Sequence, residues 1–247
     1  MKAGRGLKLG MAALLLGLLA GLLAVASWQA TASGDTFLVS RGGRLATKLL
    51  LVGVSLGAWF LTQSLIASRG DLEGRIGDLL HDLTAPWNTW LHNHPGPTNG
   101  LLIVSSGFID LFALFLIGAG LFGPTLRPFI ALLILFVFRQ LCQAVCALPI
   151  PPGMIWRNPG FPSLLVTYGV SNDFFISGHT AIAVLGAIEV CHLLPPWCGI
   201  AAALVALLEG GMVIILRAHY TMDVLGALVA AFCAAGLAAS VCQGLGI

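Results

Sequence analysis

Charge is what this sequence has least of. Only 9% of its 247 residues are Asp, Glu, Lys or Arg, where a soluble domain carries about 25%. Hydrophobic residues make up 58%, and the mean hydropathy is +0.96. A soluble chain of this length has no core large enough to hide that much apolar surface, so its natural solvent is lipid. The formal net charge of +2 is too small to point to a nucleic-acid partner. The few cations read instead as topology markers and lipid head-group contacts. CxxC pairs are also missing. The six cysteines lie in or beside apolar runs, and Cys142 with Cys146 is only an i,i+4 pair on a helix. They read as small buried hydrophobes rather than as a disulfide framework or zinc ligands. Internal repeats, low-complexity tracts and a composition shift that would mark a domain boundary are absent as well.

What is present is a series of apolar segments: Leu9–Ser27, Leu45–Ala67, Leu101–Phe122, Leu126–Leu148, Phe175–Leu194, Cys198–Leu216 and Val224–Val241. Most approach the roughly 20 residues that a helix needs to cross hydrocarbon. Backbone groups find no water there, so helix is the state expected for each. The fold class is therefore all-α, a polytopic membrane helical bundle with a six-helix core and an N-terminal apolar segment. Residues 1–44 read as an anchor, extra helix or signal-like segment, and residues 45–247 as the six-helix domain.

The polar connections are few. The stretch from Ser68 to Gly100 spaces Leu72, Ile76, Leu79, Leu80 and Leu83 among polar residues and carries Trp87 and Trp90. It predicts a short amphipathic helix on the membrane surface. His81, His92 and His94 in it read as solvated loop histidines, because no partner stands at metal-ligand spacing. The connection from Pro149 to Phe174 holds five of the twelve prolines and should be rigid and non-helical. By segment counting, both connections lie on the same membrane side as Leu216–Val224.

That last stretch, LRAHYTMDV, carries chemistry. His179 starts one apolar helix in FISGHT, and His219 ends the next, 40 positions later. One helix down, a tight turn at PPWC and one helix back bring the two histidines to the same level. Asp223 follows His219 by four residues, where its carboxylate is expected to fix the imidazole tautomer and leave the other nitrogen free to attack. His179 opposite can protonate a leaving oxygen. Ser177 and Gly178 would offer donors to an anion at a helix start, and Arg217 a guanidinium suited to phosphate. Ser177 has no base of its own, which argues against acyl transfer. The pattern is that of a phosphorus site working without a metal. Below it, Asp110 and Arg139 stand at matched depth, about 15 Å of helix from the catalytic face. Two readings follow: an ion pair between them, or an Arg139 that reaches up to the phosphate. Glu189 and His192 read as structural groups at the opposite interface.

At these residues the sequence resembles the lipid phosphatase and phosphotransferase superfamily of type 2 phosphatidic-acid phosphatases. Ser177-Gly178-His179 is similar to its SGH motif, and His219 with Asp223 to its HxxxD. The resemblance is closest to the branch of the sphingomyelin synthases and the phosphatidylcholine:diacylglycerol cholinephosphotransferases, which carry SGHT-like and HYTxD motifs and an arginine ahead of an LPxP turn. Arg139, Leu148, Pro149 and Pro151 match the latter. The phosphatase branch has an arginine six residues before the second histidine, where this chain has Val213. No lysine lies between Lys48 and its Arg127-Pro128 pair. Arg217, two before His219, is similar to the plant transferases, and Asp173, six before His179, to the sphingomyelin synthases. The resemblance implies a metal-independent, cofactor-free transfer of a phosphocholine-like group from a phospholipid donor to a lipid alcohol such as diacylglycerol or ceramide. It would pass through a phosphohistidine at His219, with His179 as acid and base and Asp173 in support; Asp110 and Tyr220, read from the residues themselves, are further candidate supports. The alternative is a lipid phosphate phosphatase or phospholipase-C-like hydrolase using the same site. The implied location is a site on the exoplasmic, luminal or periplasmic face of a multi-pass protein, with room for a homo-oligomer.

Overall fold

The structure is a computed structural model that describes residues 41–67, 74, 76–166, 168 and 174–245. The N-terminal apolar segment and Asp173 lie outside the described residues. The elements are α1 (Arg41–Ala67), α2 (Leu79–Leu83), α3 (Ala85–Asn93), α4 (Pro95–Phe122), α5 (Arg127–Val145), α6 (Gly178–Leu193), α7 (Pro196–Ile215) and α8 (Thr221–Leu245). Among the described residues there are helices and no strands, as expected for chain in lipid. Five helices, α1, α4, α5, α7 and α8, are long and apolar enough to cross a membrane. The chain is a multi-pass helical bundle.

The helix ends are written locally. Proline stands in the first turn of α3, α4, α5 and α7, where its missing N–H costs nothing. Asp78 and Ser177 cap α2 and α6 through their side-chain oxygens. α5 stops at Cys146, just ahead of the proline-rich connection.

α6 is the axis of the bundle. It is 16 residues long, about 24 Å at 1.5 Å per residue, shorter than the segment predicted for it. Nearly every side chain from His179 to Val190 is buried, so α6 is a helix apolar all round and enclosed all round. It packs against α4, α5, α7 and α8. Small residues set the approach. Ala181, Ala183 and Ala187 on α6, and Ala227, Ala230, Ala231, Ala234 and Ala238 on α8, are all buried. Without water to drive association, close van der Waals contact of such residues holds membrane helices together. Gly186 is the tightest case: a Cβ there would lie 2.3 Å from Phe112 Cδ1 on α4. The outer faces carry Leu50, Leu111, Leu207, Leu208 and Phe232, all exposed.

Two polar anchors tie the end of the bundle away from the histidines. Arg127 pairs with buried Glu189 at 2.7 Å, joining α5 to α6, in keeping with the structural reading of Glu189. Lys48 donates to the carbonyls of Gly120 and Leu121 at the end of α4. A Gly-x-Ser-x-Gly run, Gly53–Gly57, lies inside α1 rather than on a strand-to-helix elbow, so Ser55 is not a hydrolase nucleophile. Asp110 and Arg139 do not pair. Asp110 accepts from Ser163 Oγ and from the amides of Leu164 and Leu165 at 2.7 and 3.0 Å. Its carboxylate is spent on folding the long connection back onto α4.

Candidate active site

The turn between α7 and α8 presents one histidine. Leu216 closes the α7 ladder, and Arg217 adopts a left-handed φ of 54° that breaks it. The chain then runs through Ala218, His219 and Tyr220 to Thr221, where α8 begins. The other histidine sits at the start of α6. It follows Ile176, which holds a φ of 64° although it is β-branched, an unusual conformation that the surroundings must hold in place. Arg139 provides part of that restraint, donating from Nε to the Ile176 carbonyl at 3.0 Å. The α6–α7 hairpin carries the chain out and back, and His179 and His219 line the same cavity of about 50 Å³.

The cavity draws on four helices, the long connection and the α7–α8 turn. Trp59 and Gln63 come from α1, Ile109 from α4, and Phe136 and Arg139 from α5. Trp156, Leu165, Val166 and Phe174 come from the long connection, Gly178, His179 and Ile182 from α6, and Ala218 and His219 from the α7–α8 turn. Its volume suits a group of a few heavy atoms, since one water needs about 10–15 Å³ of such space. Arg139 is 5% exposed and lies against the backbone of Gly178, where a Cβ would meet its guanidinium carbon at 3.4 Å. Arg139 thus lines the same cavity as the histidines instead of pairing with Asp110.

His219 is held by its ring and by its backbone. Nδ1 donates to the Phe174 carbonyl at 2.8 Å. A carbonyl only accepts, so Nδ1 carries a proton, and the nitrogen left for chemistry in the neutral ring is Nε2. Asp223 was expected to make this bond. Its Oδ2 lies 3.8 Å from Nδ1, too far for a hydrogen bond, and accepts instead from the Tyr220 amide at 2.9 Å. The reason is the start of α8: Asp223 sits in its first turn and caps the preceding turn. The carboxylate still places a negative charge beside the ring, and its Oδ1 has no partner among the described residues. His179 is 7% exposed, stands edge-on to Trp156 with ring centres 5.0 Å apart, and has an Nε2 without a partner among the described residues.

The remaining predicted residues separate. Gly178 lines the cavity. Ser177 is fully buried, and its hydroxyl oxygen accepts from the amide and hydroxyl of Thr180 as the α6 cap, so it is outside the lining. Arg217 also lies outside it. Its backbone is left-handed, and its guanidinium bridges two other segments: Nη1 donates to Pro152 O of the long connection at 2.6 Å and Nη2 to His81 O of α2 at 3.2 Å. Tyr220 donates its hydroxyl to Pro149 O. Burial, with Asp223 and Asp78 nearby, holds its phenol above the usual range. Asp110 supports the wall indirectly through Leu165. Among the described residues no three His, Cys, Asp or Glu gather closely enough to hold a metal ion.

Sequence reasoning missed several contributors. His81 is 5% exposed rather than solvated, and its Nε2 donates to the His219 carbonyl at 2.9 Å. Asp78 accepts from Leu80 N and His81 N on α2, and from Thr221 N and Oγ1 on α8. Burial alone would raise its pKa, but the bonds from Thr221 and His81 together outweigh burial and hold the carboxyl below its ordinary range. An aspartate directly before an apolar pair was the available signal, a helix N-cap. Gln63, a lone amide in an apolar run, was another.

A family model described as AtPDCT1/2 matches residues 77–240 of 247, about two-thirds of the chain. The matched span begins one residue before Asp78 and includes both histidines and Arg139. No curated protein matches, and no solved structure matches.

Proposed function

This chain belongs to the AtPDCT1/2 family, the phosphatidylcholine:diacylglycerol cholinephosphotransferases, and on that premise we propose that it moves phosphocholine from a phospholipid to a lipid alcohol through His219. The observation that carries the reading is the commitment of His219 Nδ1 to the Phe174 carbonyl, which leaves Nε2 as the nucleophile of a ring lining the same cavity as His179 and Arg139. Nε2 attacks the phosphorus of phosphatidylcholine. The P–O bond to diacylglycerol breaks, and His179, charged once the anionic phosphate lies beside it in the cavity, gives its proton to the leaving oxygen. The resulting N-phosphoryl imidazolium is cationic, and the Asp223 carboxylate at 3.8 Å offsets that charge. In the second half, neutral His179 takes the proton of the incoming hydroxyl. The alkoxide displaces His219 from phosphorus, and the enzyme returns to its starting state.

Arg139 supplies the fixed positive charge that both transition states need on their equatorial oxygens. Asp110 and Tyr220 act at a distance, holding the walls. The family assignment favours an alcohol acceptor over water.

The test uses the full chain in lipid nanodiscs with phosphatidylcholine labelled in its phosphocholine. Label appearing in newly made phosphatidylcholine when diacylglycerol is supplied supports transfer, whereas free phosphocholine at the same rate with or without diacylglycerol would establish hydrolysis. A quenched reaction should carry acid-labile, base-stable label on the protein, lost in His219→Ala. Transfer persisting in His219→Ala refutes the nucleophile assignment.

A further inference from the structure

The turn that carries His219 is held by its own backbone as far as Ala218, with Arg217 N donating to Ile214 O at 2.9 Å, and only loosely at His219 itself. Val213 O accepts from both Ala218 N, at 2.9 Å, and His219 N, at a long 3.4 Å. Arg217 sits in the left-handed region, and α8 starts only at Thr221. A nucleophile must be held within a fraction of an ångström of its productive position, and a misplacement of about 1 Å lowers rates about a hundredfold. Something outside the turn has to supply the restraint.

Phe174 O holds the ring, and the restraint on the backbone comes in part from the surface segment 78–81. His81 Nε2 donates to the His219 carbonyl, and its ring lies over Tyr220 with centres 5.5 Å apart. Arg217 Nη2 returns a bond to the His81 carbonyl at 3.2 Å. Asp78 binds both helix starts: Oδ1 accepts from Leu80 N, His81 N and Thr221 Oγ1, and Oδ2 accepts from Thr221 N at 2.6 Å. Residues 217, 219, 220 and 221 therefore each contact a five-residue helix or its cap, more than 130 positions earlier in the chain. The other histidines of the surface segment have no such role. His92 is exposed and bonds to Gly153 O, and His94 bonds back to Trp90 O.

We propose that His81 is a positioning residue for the transfer reaction, its Nε2–H holding the backbone of the nucleophile in place while Asp78 locks the helix that carries it onto the start of α8. The inference rests on His219 being the nucleophile. With Phe174 O gripping the ring and His81 gripping the carbonyl, the imidazole is fixed from both sides, and Nε2 alone is left facing substrate. The pair acts on the placement of His219 and touches neither lipid, so its loss should slow chemistry and leave binding alone.

The experiment compares His81→Phe with His81→Gln in the full chain in nanodiscs. Phenylalanine keeps a flat ring over Tyr220 but has no donor, whereas the glutamine amide keeps an N–H of similar reach. For His81→Phe the expected result is a kcat lower by about ten- to a hundredfold. KM for both lipids should stay within about twofold, and labelling of His219 should slow by the same factor as kcat. His81→Gln should recover a large part of the rate. Wild-type kcat in His81→Phe overturns the proposal, as does equal loss in both variants alongside a lowered melting temperature. If His81→Phe does not fold, Thr221→Val carries the test through its lost bond to Asp78: a reduced kcat at constant KM supports the proposal, and an unchanged kcat overturns it. His219→Ala run in parallel separates the two levels. Transfer surviving there refutes the nucleophile, whereas a silent His219→Ala beside a fully active His81→Phe refutes the positioning role alone.

Discussion

Replacing Arg139 with glutamine tests the centre of the proposed chemistry. The side chain is 5% exposed, donates Nε to Ile176 O at 3.0 Å and lies against Gly178 at the base of the cavity. Two effects should separate. Removing one preorganised donor to a developing anion lowers rate by about a hundred- to a thousandfold, or about 3–4 kcal/mol of transition-state stabilisation. Losing the bond to Ile176 O leaves a buried carbonyl unpaired next to a residue in a disfavoured conformation, which costs about 1–3 kcal/mol of stability. Glutamine retains an N–H near the same place but no charge, so the stability loss should fall at the lower end while the rate loss stays whole. The assay is single-turnover labelling of His219 from labelled phosphatidylcholine, with a melting curve of the same preparation. A variant that labels at the wild-type rate while melting lower would show that Arg139 is a structural clamp on Ile176, and the charge argument would fail.

Three further outcomes follow from contacts elsewhere. Gly186→Ala places a methyl 2.3 Å from Phe112, so α4 and α6 must separate, and stability should fall by about 1–3 kcal/mol as read by thermal unfolding. Glu189→Ala leaves Arg127 without its carboxylate at 2.7 Å and should destabilise by about 3 kcal/mol. The double replacement Glu189→Leu with Arg127→Met should cost less than the single change, and a larger loss would contradict a pair whose role is mutual neutralisation. Asp78 has a folded pKa below its unfolded value. Its stabilising contribution is therefore complete above the ordinary carboxylate pKa of about 3.9 and is lost only as pH falls through the lower folded value. Wild-type protein titrated through that acid range should lose stability that Asp78→Asn, lacking the titrating group, does not lose there.

The fold was legible to the extent that hydropathy dictates it. Segments drawn at Leu101–Phe122 and Cys198–Leu216 became helices at Pro95–Phe122 and Pro196–Ile215, because a backbone in lipid has helix as its one way to satisfy its own hydrogen bonds. The pairing of His179 with His219 was equally readable, since a helix hairpin of known rise returns the chain to its starting depth. Glu189 read as a structural group at the far end, but its partner there, Arg127, was not foreseen.

What the one-dimensional pattern did not contain was direction. Spacing placed Asp223 four residues from His219, but only the packed turn showed that its carboxylate caps the Tyr220 amide while Phe174 O takes the imidazole proton. Spacing likewise put Arg217 beside His219. A left-handed φ, visible only in three dimensions, sends it to the Pro152 carbonyl and leaves the cavity to Arg139, 40 positions ahead of His179. His81 looked like one of three solvated histidines, because nothing local distinguishes it from His92 or His94, and its partner is 138 residues away. Length, hydropathy and helix rise thus determined the bundle and the meeting of the two histidines, since these depend on each segment by itself. Which side chains face them depended on backbone dihedrals at Ile176 and Arg217 and on a surface helix docked from a distant part of the chain, and only the tertiary structure decided those.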